Sequence, residues 1–151
     1  MRTLLKGADI LLRKENGYET LHGAYLGVDE AKIDYIGEEK PEKAYDLEKD
    51  MSGRLLAPGL INCHTHLATS VLRCFTDDLT NKEALEALLQ KEAKMDSRSA
   101  KAAARLSIAE CLRFGVTSVS DMYDHCDAIC QAVAESGIKA NISRGMTMFL
   151  G

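Results

Sequence analysis

The chain is 151 residues long, 46% hydrophobic and 28% charged, with 19 Lys and Arg against 23 Asp and Glu and a net charge of -4. That balance suits a globular domain with a core of its own, and it lacks the basic footprint of a nucleic-acid binder. No apolar run approaches the ~20 residues of a membrane-spanning helix, and Lys6 and Asp9 interrupt the N-terminal MRTLLKGADILL before a signal-peptide core could form. The five cysteines, Cys63, Cys74, Cys111, Cys126 and Cys130, are odd in number and contain no C-x-x-C pair. They suit reduced thiols and a cytoplasmic location, not a disulfide framework.

Up to about residue 54, short β-like runs dominate: Thr3 to Leu5, Ile10 to Arg13, Thr20 to Val28 and Ala31 to Gly37. Asp29-Glu30 between the last two reads as a hairpin turn. Residues 38–50, EEKPEKAYDLEKD, read as a charged, solvated segment. From Leu55 the pattern becomes strands alternating with helices. Leu60 to His66 is the expected strand after Pro58-Gly59, and Thr80-Asn81-Lys82-Glu83 is a capping box that predicts a helix to about Met95. A second helix is expected from about Arg98 to Phe114, stopped by Gly115, followed by a strand over Val116 to Tyr123. A helix over Asp127 to Ser136 closes at Gly137, and Ile138 to Met146 is the third strand. Such alternation predicts parallel pairing with right-handed crossovers.

His64 and His66 carry the chemistry. Two apart on a strand, their imidazoles share one face, whereas Cys63 and Thr65 point to the other, which sets Cys63 aside as a further ligand. Paired imidazoles at the C-terminal end of a parallel strand form half of a metal site, or are two incidental polar residues. Glu92 falls on the stripe of Leu85, Leu88 and Leu89, so a carboxylate is placed on a core-facing surface unless the helix end is solvated. Arg144 at the end of the third strand is a surface residue or an anion clamp. Asp121 and His125 bracket a polar strand end, as supports for the site or, through Asp124, as part of the next helix cap. A cytidine-deaminase-type zinc site would need H-x-E with P-C-x-x-C, and a nucleotide-binding doubly wound fold a Gly-rich loop after the first strand. Neither pattern occurs, and LATSVLRCF after His66 has no Gly.

The segment LLAPGLINCHTHLATSVLR, residues 55–73, resembles the first-strand signature of the metal-dependent amidohydrolase superfamily. The similarity extends through Asp77-Asp78-Leu79, FGVTSVSDMYDH and AVAESGIKANISRGM, and resembles the branch of 5-methylthioadenosine/S-adenosylhomocysteine deaminases with their chlorohydrolase and guanine deaminase relatives. Cys74 departs from that pattern, which has Gly after Leu-Leu-Arg, and the branch's usual Trp after Asp-Asp-Leu is absent. The resemblance implies an α/β fold: residues 1–54 as part of a small β-sandwich and 55–151 as the first part of a (β/α)8 barrel. It implies a divalent metal, zinc or in some members iron, held partly by His64 and His66. It further implies that Glu92, with a one-residue shift in spacing, contacts ribose hydroxyls and that Arg144 helps hold a small-molecule substrate. The reaction so implied is hydrolytic deamination of an aminopurine or nucleoside, with release of ammonia.

A complete barrel takes about 250 residues, so the residues from Leu55 onward are expected to form about three strand-helix units. A catalytic zinc takes three protein ligands and a water, and two are legible here. The chain alone is therefore expected to be an inactive, truncated N-terminal portion that associates with itself through uncovered sheet edges. A rival expectation is a non-catalytic α/β binding or oligomerisation module that keeps a relic H-x-H.

Overall fold

The computed structural model describes residues 1–145 and divides into two compact units, the first ending at Pro58 and the second beginning at Gly59. In the first unit, β1 (Arg2–Lys14), β2 (Gly17–Asp29) and β3 (Lys32–Gly37) pair antiparallel in sequence order. On the free edge of β1, β4 (Leu47–Asp50) and β5 (Leu55–Leu56) pair parallel to it. The two expected runs at the N-terminus are thus one strand. Gly7, at a φ of 78°, takes up a bulge in a conformation that favours glycine, and the ladder resumes at Ala8. Ala8, Ile10 and Ala24 are buried beneath Leu12, Leu21, Leu26, Met51 and Leu56.

Residues 38–50 are not simply a solvated run. Leu47 to Asp50 form β4, because the backbone groups of β1 offer a ladder and Lys6 and Lys40 meet Glu48 at 3.4 and 2.9 Å. Leu55 and Leu56, expected to open the second unit, instead pair with Asp9 and Ile10 of β1.

The second unit is an α/β layer. Its strands are β6 (Leu60–Thr65), β7 (Val116–Tyr123) and β8 (Lys139–Arg144), parallel and adjacent in sequence order. A 3-10 helix (Leu67–Leu72), α1 (Asn81–Glu92) and α2 (Ser97–Arg113) lie between β6 and β7, and α3 (Cys126–Ser136) lies between β7 and β8. Helix ends follow local chemistry. Glu83 accepts from the Thr80 backbone N–H at 3.1 Å, Asp96 accepts from Ser99 N–H at 2.7 Å, and Gly137 closes α3 in the left-handed region at a φ of 75°. Small residues let α2 approach closely: Ala100, Ala104 and Ile108 pack with Val119, Ile129 and Leu67 in one core. The expected strand over Leu60 to His66 ends at Thr65, since His66 already caps the 3-10 helix. Met146, at the end of the third expected strand, lies outside the described residues. No described helix is long and apolar enough to cross a membrane.

Candidate metal centre

The carboxyl ends of β6 and β7 meet at the two histidines. His64 is on β6 and His66 just beyond it, yet their rings converge: the Nε2 atoms are 3.3 Å apart and the planes meet nearly edge to face at 85°. His66 Nδ1 lies 2.7 Å from the Met122 carbonyl of β7. A carbonyl only accepts, so Nδ1 carries a proton, which leaves Nε2, the nitrogen turned towards His64, as the one that can offer a lone pair. A ligand histidine held through its other nitrogen in this way has its tautomer and orientation set.

The donor set fits a divalent transition metal. Two imidazole nitrogens ~2.05 Å from a tetrahedral zinc are themselves about 3.3 Å apart, which matches the Nε2 separation of 3.3 Å. Both rings are exposed, so a metal could reach them from solvent. No group of three or more His, Cys, Asp or Glu gathers as a metal cluster among the described residues, where the two imidazoles stand as a pair.

Beside His66 opens a cavity of about 660 Å³, walled by Leu85, Leu88 and Leu89 of α1, with Glu92 and Tyr123 among its lining residues. The α1 stripe predicted to face a core therefore faces this cavity, and no α1 residue is fully buried. Burial pushes the Glu92 carboxyl above its ordinary range, against the opposing influence of His66. Tyr123 is pushed up to about 12, first by burial and then by the neighbouring Glu92 charge. Arg144 is exposed at the end of β8, in register with Tyr123, and is not among the residues lining the cavity; its neighbour Gly145 is. Cys63 is exposed, while Thr65 turns to Asp121, to which its hydroxyl donates at 2.9 Å. His125 donates from Nε2 to the Met95 carbonyl at 3.0 Å and so ties the α1–α2 turn to the end of β7.

Sequence reasoning missed Tyr123 and Met122. Tyr123 carried a signal, since it shares period-two parity with the apolar Val119. The Met122 contribution is a backbone carbonyl, which no side chain announces.

The histidine pair lies at the carboxyl end of a parallel sheet wound in sequence order, the end at which parallel α/β folds place their sites. Residues 55–149 match the family model described as the amidohydrolase family. The chain belongs to the amidohydrolase family. It is 36% identical over 148 residues to a 5-methylthioadenosine/S-adenosylhomocysteine deaminase of Acetivibrio thermocellus, covering 95% of this chain and 34% of the relative. To a 5'-deoxyadenosine deaminase of Methanosarcina acetivorans it is 33% identical over 144 residues, covering 95% and 33%. In fold it is similar to an atrazine chlorohydrolase from Arthrobacter aurescens TC1 complexed with zinc, with a TM-score of 0.86 at 24% identity over 99% of this chain and 36% of that one. The guanine deaminase of C. acetobutylicum with bound guanine gives a TM-score of 0.78 at 17% identity over 94% and 36%. The chain thus spans about a third of the length of the relatives it matches.

Proposed function

We propose that this chain contributes part of the metal and substrate site of a hydrolase that deaminates an adenosine-type nucleoside. The observation that carries the reading is the convergence of His64 and His66 Nε2 atoms at 3.3 Å beside a cavity that also contains Glu92. His64 and His66 would hold a divalent metal, zinc or iron, which when bound supplies Lewis acidity to activate water near neutral pH. His66 keeps its Nε2 lone pair available because Nδ1 is engaged by Met122. Glu92, on a half-buried helix end, accepts hydrogen bonds from ligand hydroxyls, and Leu85, Leu88 and Leu89 shield the apolar part of the ligand from water. Arg144 extends the substrate-binding surface at the end of β8.

In this reading β6, β7 and β8 are the opening strands of a (β/α)8 barrel, and residues 1–54 belong to a small β-sandwich. Two imidazoles are fewer than the three protein ligands a catalytic zinc takes, so turnover needs groups beyond the described ones and the 151-residue chain alone does not turn over substrate. The exposed Leu60, Ile61 and Phe114 suit association with further protein, including a second copy. The test is a chimera in which this chain replaces the matching third of the Acetivibrio thermocellus relative. The chimera is expected to release ammonia from adenosine-type nucleosides and to lose that activity at least 100-fold on His66→Ala. A folded, zinc-loaded chimera inert towards every such nucleoside would contradict the proposal.

A further inference from the structure

Asp121 is the only fully buried ionisable side chain among the described residues, at 1% exposure. Its Oδ1 accepts from the Leu67 backbone N–H at 2.6 Å and from the Thr65 hydroxyl at 2.9 Å. Thr65 and Leu67 are the two residues on either side of His66. The next residue of β7, Met122, supplies the carbonyl that receives the His66 Nδ1 proton. One dipeptide of β7 therefore holds His66 at three points: the preceding side chain, the following amide and the ring itself. The other oxygen of Asp121, Oδ2, is buried without a partner. A buried carboxylate with an unpaired oxygen is costly for the fold, which is a reason to look for what the carboxylate does locally.

We infer that Asp121 is a positioning residue for His66: it fixes the chain on both sides of that histidine, so that the Met122 carbonyl selects the Nδ1–H tautomer and Nε2 faces His64. The inference rests on the reading of the histidine pair as metal ligands for its metal-affinity part only, because the tautomer exists without metal. The alternative is that Asp121 serves the fold alone by closing the turn into the 3-10 helix.

The experiment uses the full chain with Asp121→Ala, Asp121→Asn and Thr65→Val. Nitrogen-15 NMR of the metal-free protein reads the His66 tautomer, and competition with a chromophoric chelator reads zinc affinity. Asp121→Ala is expected to mix the tautomers and weaken zinc about 10- to 100-fold, the range found when groups supporting a ligand are removed. Asp121→Asn keeps an oxygen acceptor and is expected to stay within about threefold of the parent, and Thr65→Val, which removes one of two grips, to fall between. If Asp121→Ala does not fold, Thr65→Val decides: a several-fold loss with a shifted tautomer supports the inference. An unchanged tautomer and unchanged zinc affinity in a folded variant would overturn it, even with a lowered melting temperature. A parent chain that takes up no zinc yet loses its His66 tautomer on Asp121→Ala would contradict the metal reading and leave the positioning role standing.

Discussion

Glu92 sits where its charge is unwelcome. Burial raises its carboxyl above the ordinary value of 4.5, and the nearby Asp124 works in the same direction. A carboxyl that takes up a proton more readily folded than unfolded contributes its full stability below about pH 4.5, and that contribution is lost as pH rises through the folded-state value. Glu92→Gln should therefore raise the melting temperature modestly at pH 7 and leave it unchanged at pH 4, as followed by circular dichroism. A stabilisation of that sign at a polar cavity position is the mark of a residue kept for binding, not for folding. Cys74 shows a second local cost: it holds a φ of 63°, in the left-handed region that side chains other than glycine seldom adopt. Cys74→Gly should stabilise the chain by roughly 0.5–1 kcal/mol, read from denaturant melts, since strain relief outweighs the extra freedom of the unfolded glycine. A neutral or destabilising result would mean that the thiol makes a compensating contact.

At the scale of elements, the core beneath the 3-10 helix supports the turn that carries His66. Ile108 of α2 is 1% exposed in the cluster that contains Leu67 and Ala68, so Ile108→Ala should cost about 3 kcal/mol. Leu106 on the outer face of the same helix is 50% exposed, and Leu106→Ala should stay within about 0.5 kcal/mol, measured in the same urea melts. The elements legible in the sequence are those whose ends are set by neighbours in the chain. Thr80 and Glu83 mark the start of α1, Gly137 the end of α3, and Val116 to Tyr123 is the strand its pattern indicates. The elements that escaped depend on distant partners. Leu47 to Asp50 become a strand through the edge of β1, and two N-terminal runs fuse because a glycine bulge lets one ladder continue. His66 left its strand, but the convergence expected from strand parity is present, because Met122 and Asp121 hold the ring and the turn from the neighbouring strand.

For the whole molecule, family membership and the histidine pair meet in one physical claim: two imidazoles at the carboxyl end of a parallel sheet are spaced as ligands of one metal ion. The pair is exposed, so metal can be added to the protein in solution. Glu92 and the leucines of α1 line the same cavity as His66, within a single compact unit, so the proposed metal and ligand sites are tested on one folded body. The most direct measurement is a zinc titration of the full chain followed by calorimetry, with His64→Ala and His66→Ala in parallel. One saturable zinc per chain, weakened at least tenfold by either substitution, is the predicted result. Uptake that is absent, or that is the same in the parent and in both variants, would contradict the account.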